Sequence, residues 1–244
     1  MSDYDNIEPK EKWEFDESVT NVFENMLERS IPQYDLMRKS VADLAYDIIN
    51  QSDYKKSVFQ ILDLGCSNGL MLEALYKRFD GEGNYFGVDV SEPMLKDAKY
   101  RFLDEIIAHR VSIDTCDLRL AFPQGVFDII TSILTLQFIP IDYRQQIIQQ
   151  IYNHISNKDG CFIMVEKVLG NTAQLNNLFV KNYYRMKSNN EYSQEQIERK
   201  RLSLEGVLVP VTNDWNIQLL KQAGFRQVDV FWRWMNFVGY IAIK

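Results

Sequence analysis

Cysteine and histidine are both scarce, with three of the first and two of the second in 244 residues. Cys66, Cys116 and Cys161 lie within or beside apolar runs, and neither they nor His109 and His154 fall at metal-ligand spacing. A zinc module and a disulfide framework are excluded on that ground, and reduced thiols in a cytoplasmic setting are expected. Each histidine reads as a surface or helix-end residue. Long hydrophobic runs are missing as well: no apolar segment approaches the ~18 residues of a membrane span. Met1 to Trp13 is acidic and polar, where a secretory leader is basic and then apolar. Basic charge is in deficit, 27 Lys and Arg against 34 Asp and Glu, for a net charge of −7. Such a field repels polyanions and argues against direct binding of nucleic acid. No internal repeat or low-complexity tract is present.

What remains is 46% hydrophobic and 25% charged, ordinary for a globular α/β protein. Residues 1–12 are charged, carry Pro9 and bury little, so a disordered tail is expected there, with residues 13–244 forming a single domain. Over 16–50 the apolar residues fall at helical spacing, Val19, Val22, Phe23, Met26 and Leu27, then Met37, Val41, Leu44 and Ile48 after a break at Ile31 to Tyr34. These helices precede the first strand and are placed to lid a site. Strands are expected at 58–64, 85–90, 111–116, 127–134 and 160–165. Helices alternate with them at 71–79, at 92–108 with Ser91 as cap and Pro93 in the first turn, and at 142–155. Such alternation makes a parallel sheet with right-handed crossovers. Residues 228–234 and 237–243 are parted only by Met235 and Asn236, a hairpin and hence antiparallel. The expected fold is α/β: a Rossmann-like, seven-stranded, mostly parallel sheet with an antiparallel C-terminal hairpin, N-terminal helices and a helical insertion at 170–213 after the fifth strand.

Chemistry enters at Ile61-Leu62-Asp63-Leu64-Gly65-Cys66-Ser67-Asn68-Gly69, an apolar run ending in a glycine-bracketed loop. Gly65 lets the backbone pass close to a ligand, and Gly69 lets the next helix pack on the sheet. Asp89, in Gly87-Val88-Asp89-Val90-Ser91, ends the second strand where a carboxylate accepts from both ribose hydroxyls. The spacing is not the dinucleotide G-x-G-x-x-G, but the pair still reads as a nucleoside-cofactor site.

In the insertion, Ser193 and Gln196 form a capping box for a helix running to about Val207. Ile197, Arg201, Leu204 and Leu208 then fall on one face, while Arg199 and Lys200 point elsewhere. A guanidinium on an apolar stripe is either a salt bridge with a snorkelling stem or a receptor for a ligand carboxylate. Glu166-Lys167 ends the fifth strand at the carboxyl edge of the sheet, a place for groups that support a site. Phe231, Trp232, Trp234 and Phe237 read as hairpin packing.

The glycine loop resembles motif I of S-adenosylmethionine-dependent methyltransferases. From Trp13 onward the chain resembles one branch of them, the carboxy-S-adenosyl-L-methionine synthases. The distinctive segments are Phe15-Asp16-Glu17-Ser18-Val19, Glu28-Arg29-Ser30-Ile31-Pro32-Gln33-Tyr34, Leu134-Thr135-Leu136-Gln137-Phe138, Glu166-Lys167, Tyr192-Ser193, Lys200-Arg201, Leu204-Glu205 and Ala223-Gly224-Phe225. The resemblance implies a transferase that binds S-adenosylmethionine, removes a methyl proton to give a sulfonium ylide and captures carbon dioxide from prephenate, leaving phenylpyruvate. A site that excludes water protects such a carbanion. The product, carboxy-S-adenosylmethionine, would serve a downstream carboxymethyltransferase in tRNA wobble-uridine modification.

Carried over by position, the resemblance implies that Arg201 holds the new carboxylate, from a helix reaching into the other subunit of a homodimer. It implies cofactor contacts from Tyr34, from Gly65, Cys66 and Ser67, from Asp89 and Val90, and from Asp117 and Leu118 at the adenine. The plainer readings are a packing aromatic for Tyr34, a turn residue for Asp89 and a helix cap for Asp117. Ile133 occupies a position where the family commonly has a cofactor-contacting asparagine, and Ser132 points to the opposite face of the strand. Two further readings stand beside the synthase: a conventional methyltransferase acting on a small molecule or tRNA, and a non-catalytic cofactor-binding partner. No metal and no membrane contact are expected.

Overall fold

A computed structural model of the protein describes residues 12–51, 58–157 and 160–244. Apart from Lys12, the tail expected at 1–12 lies outside the described residues. Asp16 caps α1 (Glu17–Ser30), its carboxylate accepting from the Val19 amide at 2.9 Å. Gln33, at φ 52°, turns the chain into α2 (Tyr34–Gln51), which buries Met37, Val41 and Ala45.

The β-α alternation follows: β1 (Gln60–Leu64), α3 (Leu70–Arg78), β2 (Asn84–Asp89), α4 (Glu92–Arg101), α5 (Leu103–Ile107), β3 (Val111–Thr115), β4 (Ile129–Ile133), α6 (Ile141–His154) and β5 (Cys161–Leu169). Ser91 caps α4 through its hydroxyl, with proline in the first turn. The helix expected over 92–108 is divided at Phe102, whose ring is buried. α6 starts one residue before Asp142, after Pro140, with no side-chain cap. The insertion supplies α7 (Ala173–Asn189) and α8 (Gln194–Leu204), the latter begun by the Ser193/Gln196 capping box. Then come β6 (Val211–Thr212), α9 (Asn213–Ala223), β7 (Gln227–Trp234) and β8 (Phe237–Ile243). Gly224, at φ 114°, ends α9.

Strand order is β3-β2-β1-β4-β5-β8-β7, parallel through β5 and antiparallel at β8 and β7, with the two-residue β6 pairing β5 off this path. β6 makes an eighth strand beside the seven expected. Apolar residues of α2, α3 and α4 cover one face of the sheet, and those of α6 and α9 cover the other. Strand order reverses between β1 and β4, so the crevice outside their carboxyl ends is where a ligand lodges.

Candidate cofactor site

At that crevice, the amides of Gly65 and Cys66 both donate to the Val88 carbonyl, at 2.8 and 2.9 Å, so the loop after β1 folds over the end of β2. Gly65 has φ 73°, and a Cβ there would stand 2.3 Å from the Thr135 side chain. Only glycine fits. Asp89 fixes the loop from the other side. One carboxylate oxygen accepts from the Ser67 amide at 2.9 Å, and the other from the amides of Val90 and Ser91 at 2.7 and 2.9 Å. Asp89 is thus a turn residue and a wall of the site at once.

The loop borders a cavity of about 410 Å³, within the usual range for a small-molecule site. Every position expected from Tyr34 through Ile133 lines it: Tyr34, Gly65, Cys66, Ser67, Asp89, Val90, Asp117, Leu118 and Ile133. Tyr34 is buried under the Arg38 guanidinium, which lies 4.5 Å from its ring centre, and burial raises its phenol. Asp117 holds Arg119 through both carboxylate oxygens, which keeps it below the ordinary carboxylate range, and Arg119 lines the cavity with it. Burial raises the Cys66 thiol. Ser132 is fully buried and away from the cavity, as alternation requires.

Three polar atoms of the lining are buried with no partner among the described residues: Ser67 Oγ, Asn68 Oδ1 and the Trp13 indole nitrogen. Unsatisfied groups of this kind each carry a penalty of ~1–3 kcal/mol, which a polar ligand removes. The glycine cradle and these orphaned atoms fit a nucleoside cofactor bearing polar substituents.

The roof comes from the N-terminal segment and the insertion. Trp13, Phe15, Phe23 and Met26 pack with Phe138 from the turn after β4 and with Leu204 and Val207 from the insertion. Hydrogen bonds tie the two segments: the Trp13 amide to the Ser203 carbonyl at 3.0 Å, Arg29 Nε to the Asn190 carbonyl at 2.8 Å and Asn190 Nδ2 to the Arg29 carbonyl at 2.9 Å. The Ser91 hydroxyl donates to the Phe15 carbonyl at 2.6 Å, which anchors the roof to the end of β2.

Comparison with known proteins places this arrangement. A methyltransferase-domain model matches residues 61–158. The carboxy-S-adenosyl-L-methionine synthase of Methylococcus capsulatus is 37% identical over 231 residues, covering 94% of this chain and 93% of its own length. That of Nautilia profundicola is 38% identical over 237 residues, 96% of each chain. The chain belongs to the carboxy-S-adenosyl-L-methionine synthase family. It is an S-adenosylmethionine-dependent transferase. Among solved structures, the S-adenosylhomocysteine-bound magnesium protoporphyrin IX methyltransferase of Synechocystis aligns at TM-score 0.58 and 14% identity, over 89% of this chain and 86% of that one. An O-methyltransferase family protein of Burkholderia thailandensis aligns at 0.62 and 14%, with 94% of this chain spanning 60% of it. At such identities the likeness is one of fold.

In this family member Arg201 stands apart from the other expected residues. It is exposed, absent from the chain's own cavity wall, and paired with Glu198 at 2.7 and 3.0 Å. Of the stripe expected to carry it, Ile197 and Leu204 face inward but Arg201 does not. α8 ends at Leu204, because Glu205 is extended and Gly206 has φ 78°, so Leu208 is off the helix. The inward face also carries Lys200 and Ser203, and Lys200, expected to point elsewhere, lines the cavity with its Nζ 4.3 Å from the Trp13 ring centre.

Asp63 carried no sequence assignment of its own, and Glu166-Lys167 only a supporting one. Asp63 is buried at the cavity floor, accepts from the Thr131 hydroxyl at 2.7 Å, and is pushed by burial up to about 7. Its place in the loop motif was the available signal. Glu166 faces away from the cavity, where its two oxygens accept from the Leu136 and Gln137 amides at 2.9 and 2.8 Å. The Gln137 side-chain oxygen accepts in turn from the Lys167 amide at 2.9 Å. Among the described residues no group of three His, Cys, Asp or Glu is placed to hold a metal, and no helix is long and apolar enough to cross a membrane.

Proposed function

We propose that the protein converts S-adenosylmethionine and prephenate to carboxy-S-adenosylmethionine and phenylpyruvate. The observation that carries this reading is the double roof over the cofactor loop. The N-terminal helices and the insertion meet above the crevice and tie to each other. In the net reaction the methyl carbon loses a proton and gains a carboxyl group. Prephenate loses that group as carbon dioxide and loses hydroxide as it becomes aromatic, and hydroxide and proton leave as water. A carbanion equivalent survives only where bulk water is kept out. Trp13, Phe15 and Phe138 supply that exclusion, and Asp89 and the glycine loop orient the nucleoside.

The new carboxylate requires a cation, and Arg201 supplies it from a partner subunit of a homodimer. The exposure of Arg201 and its absence from its own cavity support a role in trans, and displacement of Glu198 by a ligand carboxylate keeps the guanidinium's bidentate geometry. Residues 13–244 act as one domain with 16–50 as lid, in the cytoplasm, and pass the product to a carboxymethyltransferase that modifies the wobble uridine of tRNA. The net charge of −7 suits release of a diffusible product. Ile133 favours a second reading, since an apolar wall where the family commonly has asparagine alters the cofactor's polar contacts. On that reading the protein donates a methyl group. Incubating the protein with S-adenosylmethionine and prephenate separates the two: phenylpyruvate forms in proportion to S-adenosylmethionine consumed on the first reading, and none forms on the second.

A further inference from the structure

Lys167 is a cation in the cavity wall without an anion. Alternation along β5 places it on the face that carries Tyr34, Tyr183 and Phe237, opposite Glu166. Its Nζ lies 4.7 Å from the Tyr183 ring centre and 5.9 Å from that of Phe237. Among the described residues no carboxylate lies within ion-pair distance of it. Asp63 shares the cavity, but in register it is level with Thr131 and Ile163, two strands away and four residues before Lys167, roughly 13 Å along the sheet. Tyr183 and Lys187 are the titratable groups of α7 beside the same rings, and neither offers an anion at neutral pH. Burial with no acid to oppose it pushes the ammonium down to about 8.

A group that weakens the free protein and faces a ligand cavity is placed for binding. We propose that Lys167 receives a carboxylate of the second substrate, an acid whose ring-sized apolar body packs against Tyr183 and Phe237. This rests on the reading that the second substrate is prephenate. Aromatic rings give a cation partial compensation, and a carboxylate completes it. Arg201 and Lys167 then divide the work, the first taking the carboxyl group gained by the cofactor and the second a carboxylate still on the donor. The clamp from Gln137 to the Lys167 amide holds the strand end at the cavity edge.

The test measures prephenate binding by calorimetry to protein saturated with S-adenosylhomocysteine, for the native chain and for Lys167→Met and Lys167→Gln. Prephenate affinity should fall tenfold or more in both variants while S-adenosylhomocysteine affinity stays within twofold. The melting temperature of ligand-free Lys167→Met should equal or exceed the native value, a sign that a merely structural lysine would reverse. Native prephenate affinity in both variants overturns the assignment and leaves the proposed reaction standing. Loss of S-adenosylhomocysteine binding together with a lowered melting temperature assigns Lys167 to structure and also overturns it. If the native protein binds no prephenate, the proposed reaction falls and the Lys167 assignment falls with it.

Discussion

The cofactor end of the site depends on Asp89, one carboxylate answering three backbone amides. Asparagine keeps the shape but turns an NH2 toward one amide donor. Asp89→Asn is expected to lower S-adenosylmethionine affinity at least tenfold and stability by ~1–2 kcal/mol, read by calorimetry and denaturant unfolding. Asp63 makes a pH-dependent statement. Its folded value near 7 lies above its unfolded value, so between about pH 4 and 7 the native state holds the extra proton, and stability falls as pH rises through that window. Asp63→Asn removes the titration. The stability of native protein relative to Asp63→Asn should therefore fall from pH 4 to 7 and level off above it, and a flat difference would show that Asp63 ionises normally. Gly65 and Asp89 were legible in the sequence because backbone freedom and strand-end position are local properties, whereas Tyr34 came only with the family resemblance. Lys167 was legible only as a residue near the carboxyl edge of the sheet, since the lack of an acid beside it among the described residues is a property of the packed face.

At the scale of elements, the turn after β4 is the hinge between sheet and roof. Glu166 holds it by two amides, Gln137 returns a bond to β5, and Thr135 fills the space that Gly65 leaves. Glu166→Ala strands two buried amides and opens a cavity, and a loss of about 3 kcal/mol in unfolding free energy is expected. Gly65→Ala combines a left-handed backbone with a collision, for ~2–4 kcal/mol and loss of cofactor binding by calorimetry. The β-α alternation, the hairpin and the Ser193 capping box were readable from periodicity and turn chemistry. β6 was not, because two residues carry no period. The inward face of α8 was misread for a related reason: residue spacing defines stripes around a helix, but where the helix stops decides which stripe has partners. With α8 ending at Leu204, Leu208 leaves the helix, Ile197 and Leu204 stay inward, and Arg201 alone of the stripe faces outward.

For the whole molecule, the proposed role of Arg201 in trans requires two chains per working site. Arg201→Ala and Asp89→Asn should each reduce turnover, and mixed dimers of the two should recover activity. One of the two sites in a mixed dimer has both native residues, so an equal mixture is expected to regain about one quarter of native turnover. Failure of the mixture to exceed either variant alone would place Arg201 in cis. The acidic surface predicts weak association with tRNA, which a gel-shift at physiological salt checks. The central claim, that the cofactor is carboxylated in place, is tested most directly by mass spectrometry of the nucleoside released from the protein after incubation with S-adenosylmethionine and prephenate. The expected species is heavier than S-adenosylmethionine by one carboxyl group in place of hydrogen, and unmodified S-adenosylmethionine alone would mean that no carboxylation takes place.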